Sequence, residues 1–461
     1  MERENLWTTY NENDLLALNK MADGYKDFIS RGKTERLCVE ISKEMAEAKG
    51  YRNLEEMIEK GESLKAGDKF YAPFMKKAII LGIIGNEPIE KGMNILGAHI
   101  DSPRMDLKQN PLYEAAELTY MDTHYYGGIK KYQWVTLPLA LYGVIVKKDG
   151  TVIDVAIGDK EDDPVFCVTD LLIHLSAKQL EKKASVVVEG EALDVLVGSR
   201  PLADEEKDAV KANVLDILLK EYDVTEEDFM SAEIEVVPAG KARDCGLDRS
   251  MVMGYGQDDR ICAYTSLLAL LDMEETPERT SLCVLVDKEE IGSVGATGMQ
   301  SRFFENTVAE VMNLAGDYSE LALRRALTNS FMLSSDVSAA YDPSYDSVFE
   351  KKNAAFFGKG IVFNKYTGAR GKSGSNDANA EYMAKLRNIL DKENIGYQTS
   401  ELGKVDAGGG GTIAYILGNY GMNVIDSGIA LLCMHAPWEV SSKADIYEAY
   451  KCYGQFLGEM K

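Results

Sequence analysis

The sequence predicts an α/β protein whose main sheet is covered by helices on both faces. From residue 255 onward, segments of helical length alternate with short apolar runs, an order typical of strands buried between two layers of helices. Residues 104–241 instead contain mostly strand-like segments. The 461 residues exceed the ~250–300 residues at which a single core stops growing. We therefore expect one domain formed by residues 1–103 and 242–461, and a β-rich domain inserted at 104–241.

The two parts of the expected α/β domain have their own elements. Before the insertion, we predict two helices within residues 11–49, strands within 69–84 and a buried strand at 94–99. After the insertion, we predict the helices 260–273, 302–315, 318–328, 376–392 and 443–459. The strands between them are expected at 282–286, 331–335, 360–364, 397–401 and 423–426.

The inserted segment has a different pattern. Residues 137–146 and 152–157 are expected to form a hairpin, because the Asp149-Gly150 pair between them favours a tight turn. A further strand is expected at 231–238, and helices are expected at 171–183 and 213–222.

The composition limits the classes of function. Lys and Arg number 51 and Asp and Glu number 75, which gives a net charge of −24. That charge repels nucleic acids and anionic membranes, so we expect neither as a partner. The first residues lack the basic stretch and apolar run of a signal peptide. Seven scattered cysteines indicate reduced thiols, and we expect a cytoplasmic protein.

A histidine and an acid follow each other at the end of the predicted strand 94–99. His99 and Asp101 are two residues apart, and side chains with that spacing share one face of a strand. Asp101 is therefore placed to orient His99, as carboxylates commonly do for histidines that bind metals. Taken alone, the pair is equally compatible with a structural histidine.

Three acidic residues accompany two further core segments. Asp258 immediately precedes an apolar helix, where an acid either caps the helix or bridges two metal ions. Glu289 and Glu290 follow the strand 282–286. An exposed acidic turn is one interpretation of this pair. The other is that one carboxylate binds metal and its neighbour transfers a proton.

Two more polar residues end apolar segments. Asp336 ends the strand 331–335, and His435 ends the apolar segment that begins at Ala430. With the preceding motifs they suit two-metal hydrolysis, which needs a bridging carboxylate and His or carboxylate ligands on each side. Three carboxylates and two neutral imidazoles do not cancel the charge of two divalent ions, so the centre stays positive and activates water.

The order of these motifs resembles the M18 family of metallo-aminopeptidases, which includes the aspartyl aminopeptidases. The resemblance is carried by Ala98-His-Ile-Asp-Ser-Pro103, Gln257-Asp-Asp-Arg260, Asp287-Lys-Glu-Glu-Ile-Gly-Ser293, Ser334-Ser-Asp336 and Cys433-Met-His435. The stretch 401–413 is similar to that of the family's bacterial members. The resemblance spans nearly the whole chain. It implies a mixed-sheet, two-metal exopeptidase domain with helices on both faces and an inserted, β-rich dimerisation domain.

The resemblance also implies the metal ligands. His99 and Asp336 would hold one ion, Glu290 and His435 would hold the other, and Asp258 would bridge them. The ions would be two divalent metals per subunit, zinc first, with cobalt or manganese as alternatives that tolerate the same ligands.

The remaining implied roles concern catalysis and substrate. Glu289 would be the general base, and Asp101 would orient His99. The substrate would be a peptide that loses its N-terminal residue, either acidic or neutral. In many aspartyl-preferring members a histidine follows the acid equivalent to Asp336, whereas Val337 stands here. Asp259 likewise stands where many members have Asn, so the assignment of the bridge to Asp258 rests on the resemblance.

Four residues are candidates for binding substrate: His174, whose place follows from the assembly described below, and Lys372, Gly410 and Gly411. Lys372 would pair with an acidic side chain, although a solvated surface lysine is equally compatible with its Gly-rich loop. Gly410 and Gly411 would cradle the substrate through backbone N–H groups.

Assembly is the last property that the resemblance implies. In the family the inserted domain pairs subunits, and dimers assemble into a dodecamer, so the same homo-oligomer is expected here. His174 lies where some members extend a histidine into a neighbour's active site. A helix histidine packed at an interface is the alternative. His124 has no clear counterpart and is expected to be structural.

Two other classes of function compete with this one. The first is a related two-metal exopeptidase, such as an M42-like enzyme, which the long insertion and the stretch 401–413 argue against. The second is a catalytically inactive shell protein, which is expected to have lost Glu289 or a metal ligand. All the expected positions are filled.

Overall fold

The computed structural model describes residues 4–461, which form two compact units. The first unit contains the described residues up to Asp101, together with Ala242–Met434 and Glu439–Lys461. The second contains Ser102–Lys241 and the short segment His435–Trp438. The role of residues 104–241 in pairing subunits stays a prediction.

The elements follow in chain order. The α-helices are α1 (Glu12–Arg31), α2 (Glu35–Ala48), α3 (Leu54–Glu59), α4 (Ala177–Leu180), α5 (Ala209–Tyr222), α6 (Gln257–Leu271), α7 (Phe303–Ala315), α8 (Glu320–Thr328), α9 (Ala380–Lys392), α10 (Ala414–Gly418) and α11 (Lys443–Glu459). The β-strands are β1 (Arg52–Asn53), β2 (Lys69–Phe74), β3 (Ala78–Ile83), β4 (Asn94–His99), β5 (Arg104–Ala115), β6 (Leu118–Tyr126), β7 (Leu139–Val146), β8 (Val152–Ile157), β9 (Cys167–Val168), β10 (Val195–Gly198), β11 (Ala232–Pro238), β12 (Arg243–Cys245), β13 (Met251–Gly254), β14 (Ser281–Val286), β15 (Phe331–Ser335), β16 (Ser338–Ala339), β17 (Ile361–Asn364), β18 (Tyr397–Thr399), β19 (Asn423–Gly428), β20 (Ala430–Leu432) and β21 (Glu439–Ser442).

A nine-stranded mixed sheet forms the centre of the first unit. Its strand order is β1-β2-β3-β14-β4-β15-β19-β17-β18. The neighbours β14, β4, β15 and β19 run parallel, whereas β3 is antiparallel to β14 and β17 is antiparallel to β19. The carboxyl ends of β14, β4 and β15 therefore lie side by side, at the same end of the strands.

Both faces of this sheet are buried under helices, as the sequence predicts. Cys283 and Leu285 of β14 pack in one core with residues of α1, α2, α6, α9 and α11. The alternate residues Leu282, Val284 and Val286 pack in a second core with residues of α3, α7, α8 and α10. Because successive side chains of a strand point to opposite faces, a strand of this kind must be apolar throughout. Burial on both faces explains why the run of residues from which β14 is predicted is apolar at every position.

The other two sheets lie one in each unit. A five-stranded sheet of order β12-β13-β21-β20-β16 belongs to the first unit, and a seven-stranded sheet of order β8-β7-β11-β5-β6-β10-β9 belongs to the second. The β7–β8 hairpin is found where the Asp-Gly turn predicts it. None of the helices within residues 4–461 is long and apolar enough to cross a membrane.

Two differences between the structure and the sequence prediction concern larger segments of the second unit. The predicted helix 171–183 is wrong, because the segment contains only a 3-10 turn, Ile173–Leu175, and the four-residue α4. Its leucines at 171, 172, 175 and 180 are exposed, and a short helix without a packing partner is marginal in water. The hairpin of β5 and β6 was not predicted. Its turn residues Ala116 and Glu117 both have positive φ without the Asn or Gly that signals such a turn.

Candidate metal centre

Three neighbouring strands of the nine-stranded sheet bring polar side chains together at their carboxyl ends. His99 is the last residue of β4 and pairs in register with Val286, the last residue of β14. The turn containing Glu289 and Glu290 begins three residues after β14, and Asp336 follows β15 directly. The carboxyl ends of parallel strands are where open α/β sheets bind ligands.

His99 lies at the centre of this group of strand ends and is buried. Its Nε2 atom lies 3.2 Å from Asp258 Oδ1, 3.8 Å from Glu289 Oε2 and 3.9 Å from Asp336 Oδ1. Its other ring nitrogen, Nδ1, lies 3.0 Å from the backbone oxygen of Asp101 and 3.3 Å from the carboxylate of the same residue. The imidazole is therefore held on one side and faces three carboxylates on the other.

Asp101 makes a second set of contacts that sequence reasoning missed. Its two carboxylate oxygens accept the backbone N–H groups of Glu289 and Glu290, each at 3.2 Å. The same buried side chain thus fixes both the ring of His99 and the turn after β14. The sequence carries no signal for this link, because the turn lies 188 residues away.

Asp258 is positioned by a residue from the other end of the chain. The buried carboxylate of Glu439 accepts the backbone N–H of Gln257 at 2.7 Å and that of Asp258 at 3.2 Å. Gln257 in turn donates its side-chain amide to the backbone oxygen of Glu439. The peptide bond between Asp258 and Asp259 is cis. Glu439 is a positioning residue that no sequence motif marks.

Six residues near these strand ends form three overlapping groups. Within each group, the possible ligand atoms lie within 4.8 Å of one another. The groups are His99 with Glu289 and Asp336, His99 with Asp258 and Glu290, and Asp258 with Asp259 and Asp336. We call these six residues the acidic cluster. The structure thus brings together the sequence-predicted residues His99, Asp258, Glu289, Glu290 and Asp336, and it adds Asp259.

The carboxylates of the acidic cluster oppose one another's ionisation. Burial raises the pKa of Asp336 well above its ordinary value, and the charges of Asp259 and Glu289 raise it further. Burial also raises the pKa of Asp259. Burial lowers the pKa of His99, but hydrogen bonds to Asp101 and Asp258 outweigh this effect and raise that pKa well above its ordinary value. A bound cation would relieve this repulsion.

The residues fit a divalent metal ion. Both carboxylate oxygens of Asp259 are buried without a nitrogen or oxygen hydrogen-bond donor, and buried charges are normally paired or bind metals. Imidazole nitrogen and carboxylate oxygen are ligands that zinc, cobalt and manganese all accept. The donor set therefore suits a zinc-type centre.

The other predicted histidines lie in the second unit. His435 is half-buried there, and its Nδ1 atom lies 2.8 Å from the backbone oxygen of Gly128. Its role as a metal ligand stays a prediction. His174 is exposed in the 3-10 turn Ile173–Leu175, and His124 stacks on Tyr125.

The predicted substrate residues of the first unit lie in two neighbouring loops. The Lys372 ammonium is 3.0 Å from Asp377 and lies 3.6 Å from the ring centroid of Tyr366. Gly410 accepts the backbone N–H of Gly368 at 2.7 Å, and Gly411 is exposed. Lys372 therefore already has a carboxylate partner within its own loop.

A buried acid anchors the second of these loops, and sequence reasoning missed it. Asp426 of β19 accepts hydrogen bonds from the hydroxyls of Thr412 and Ser334. Burial raises the pKa of Asp426 to about 7. Thr412 directly follows Gly411, so this contact ties the end of the glycine stretch to the sheet.

Comparisons with known proteins point to one family. Residues 28–457 match the family model described as aminopeptidase I zinc metalloprotease (M18). A Clostridium acetobutylicum protein named probable M18 family aminopeptidase 1 is 64% identical over 99% of this chain and 98% of the relative. The crystal structure of aminopeptidase I from the same organism has a TM-score of 0.93 and 62% identity, covering 99% of both chains. An M18 aminopeptidase structure from Thermotoga maritima has a TM-score of 0.95 and 44% identity over both full chains.

Proposed function

This chain belongs to the M18 family of zinc metallo-aminopeptidases, and from that premise we propose how its residues remove the N-terminal residue of a peptide. The observation that carries the proposal is the convergence of one imidazole and five carboxylates at the carboxyl ends of β4, β14 and β15. The M42-like alternative is not favoured, because the M18 family model covers residues 28–457.

Two divalent ions would be held by the acidic cluster together with His435. His99 and Asp336 would hold one ion, Glu290 and His435 would hold the other, and Asp258 would be shared by both. Asp258, His99 and Asp336 each belong to two of the three ligand groups, so the choice of Asp258 as the bridge rests on the family resemblance. The assignment of His435 rests on the family resemblance. Zinc is the expected metal, since it is the metal of the family.

Catalysis divides between the ions and the protein. Bound ions of this type polarise the scissile carbonyl and lower the pKa of water. Glu289 accepts a proton from the attacking water and donates it to the leaving amine. Its side chain is 15% exposed, with Oε2 3.8 Å from His99 Nε2, so the carboxylate is at the cluster and still accessible. Asp101 keeps His99 and the turn of Glu289 in place.

The substrate is a peptide with a free N-terminus and an acidic or neutral first residue. Backbone N–H groups near Gly410 and Gly411 hold the peptide. Lys372 pairs with an acidic first side chain only if its contact with Asp377 opens or is shared. Chromogenic substrates carrying Asp, Glu, Leu or Lys test this point, with Lys372→Ala as the variant. A selective loss of Asp and Glu cleavage in that variant supports the role of Lys372, and an equal effect on all four substrates contradicts it.

Subunits assemble into a dodecamer through pairing by residues 104–241, with His174 placed at a neighbouring active site. The support within this chain is the exposed apolar segment around α4, where Ile173 and Leu175 are each 68% exposed, since contiguous exposed apolar side chains mark interaction surfaces. Native mass spectrometry tests the assembly. Twelve chains are expected, and a stable monomer contradicts the proposal.

Reconstitution of the metal-depleted enzyme tests the function as a whole. Chelation is expected to abolish cleavage of all aminoacyl substrates, and added zinc, cobalt or manganese is expected to restore it. An enzyme that cleaves equally well without metal would refute the two-metal mechanism. A protein that binds zinc but cleaves nothing would instead support an inactive shell.

A further inference from the structure

A groove runs along one edge strand of the nine-stranded sheet. This strand is not adjacent to the strands that carry the acidic cluster. The edge strand is β18, which ends the strand order and pairs with β17. The consecutive β18 residues Tyr397, Gln398 and Thr399 line a cavity of about 1070 Å³. Successive side chains of a strand point to opposite faces, so three consecutive residues line one cavity only if it runs along the strand edge.

Two walls flank this edge. One wall is α9, which contributes Met383 and Arg387. The other is the segment 351–359, which is fixed to the strand because the Phe356 N–H donates to Gln398 Oε1 and Gln398 Nε2 donates to the Phe356 oxygen, both at 2.8 Å. Met383 and Phe356 give the groove apolar surface between its charged rims.

The charge of the groove is opposite to that of the protein. Lys351, Lys352, Lys359 and Arg387 line it, together with the single acid Asp391. Within residues 4–461, no carboxylate forms an ion pair with Lys351, Lys352 or Arg387. In a chain of net charge −24, such a concentration of cations selects anionic ligands. We call this surface the basic groove.

The main chain of β18 also points into the groove. The Ile361 N–H donates to the Gly396 oxygen and the Ser400 N–H donates to the Phe363 oxygen, so Gly396 and Ser400 face β17. Because main-chain groups alternate along a strand, those of Thr399 face the opposite way. An extended peptide can use such an edge by adding one more strand.

We propose that the basic groove binds an extended acidic peptide segment of a partner protein, which adds as a strand beside β18. Acidic side chains of the segment contact Lys352 and Arg387, and its apolar side chains contact Phe356 and Met383. A compact polyanion such as tripolyphosphate would use the cations but neither the strand edge nor the apolar surface. The combination of all three features favours the peptide.

Fluorescence anisotropy with a short labelled peptide tests the proposal. The peptide alternates glutamate with valine or threonine, and it is N-acetylated so that an aminopeptidase cannot degrade it. Wild-type enzyme is expected to bind this peptide, with an affinity that falls as the salt concentration rises. It is not expected to bind a counterpart peptide that contains lysine. Absence of binding to the acidic peptide at low salt overturns the proposal.

Charge variants locate the site. The double variant Lys352→Glu with Arg387→Glu is expected to weaken binding about tenfold or more. Lys20→Glu with Lys207→Glu changes the net charge equally at exposed positions outside the groove and is expected to bind as the wild type does. Equal losses in both double variants would mean a general charge effect and would refute the site.

A backbone variant separates a peptide from a small polyanion. Thr399→Pro removes one N–H from an edge strand, where proline is tolerated. It is expected to weaken peptide binding severalfold and to leave tripolyphosphate binding unchanged. If Thr399→Pro changes neither, the groove binds a small anion and the strand proposal fails. If the groove variants instead change the subunit number in sedimentation velocity, the groove is a contact between copies and the proposal fails too.

Discussion

The acidic cluster and the basic groove occupy the same sheet, and they hold like charges in opposite ways. In the acidic cluster His99, Asp258 and Asp259 are buried and the other three carboxylates are partly buried. Burial, and then the charges of Asp259 and Glu289, raise the pKa of Asp336 well above its ordinary value. In the basic groove Lys351, Lys352 and Arg387 are exposed to water, which screens their repulsion.

This difference predicts what each region does. Buried like charges destabilise a protein unless a ligand of opposite charge compensates them, so the acidic cluster implies a tightly bound cation. Exposed like charges cost little, so the basic groove implies weaker binding that depends on salt. The following changes test the two regions.

The largest effect is expected from Glu289→Gln. The amide keeps the size of the side chain but cannot accept the proton of water, so kcat should fall about 10²–10⁴-fold while metal content is unchanged. Steady-state kinetics and elemental analysis measure the two quantities. Glu278→Gln, an exposed acid just before β14, is the matched control. Retention of full activity in Glu289→Gln would show that another group is the base.

A smaller loss is expected from Asp101→Asn. The neutral amide supports the Nδ1 side of His99 less well and cannot accept two backbone N–H groups with two oxygens. Activity or metal affinity should fall about 10–100-fold, as for other residues that orient metal-binding histidines. Zinc titration and kinetics of this variant are compared with Asp317→Asn, an exposed acid. An effect confined to thermal stability would argue against positioning.

Thr412→Val is expected to act on substrate binding. It removes the hydroxyl that donates to the buried Asp426, and leaving a buried acceptor without a donor costs about 1–3 kcal/mol. The glycine stretch should loosen, so that KM rises about tenfold and kcat changes less. Thr412→Ser keeps the hydroxyl and should behave as the wild type. A lower kcat at constant KM would place the effect in the chemical step instead.

The last effect concerns the pH dependence of stability and the wall of the basic groove. Asp445 is buried and accepts the backbone N–H groups of Gly358 and Gly360, and burial raises its pKa to about 7. A carboxyl whose pKa is higher in the folded state binds more protons there. Its contribution to the free energy of unfolding therefore falls as pH rises from about 4 to about 7.

Asp445→Asn should remove this contribution. Relative to the variant, the wild type should lose at most about 1.4 kcal/mol per pH unit across that range. Denaturant unfolding at several pH values measures the difference. A difference that stays constant between pH 4 and 7 would contradict the raised pKa.

The sequence predicted the residues that lie beside strands better than the contacts that hold them. His99, Glu289, Glu290 and Asp336 could be selected because each follows an apolar segment buried on both faces. Glu439 could not be selected, since it acts through the backbone N–H groups of Gln257 and Asp258, which are remote in sequence. Such contacts leave no periodicity or motif behind.

The mistaken helix has a related cause. Residues 171–183 have enough leucine for a helix, but apolar residues stabilise a helix only when another surface covers them. In this chain Leu172 and Leu175 stay exposed, and the segment forms short turns. The prediction took the apolar pattern as evidence of packing that the segment does not have within the chain.

Elemental analysis of the purified enzyme counts the ions that the acidic cluster and His435 hold. After equilibration with excess zinc and removal of free metal, the wild type and Glu289→Gln are both expected to retain two zinc ions per chain, while Asp258→Asn is expected to retain fewer. One ion or none in an active wild-type enzyme, or two ions retained by Asp258→Asn, would contradict the assignment of a two-metal centre bridged by Asp258.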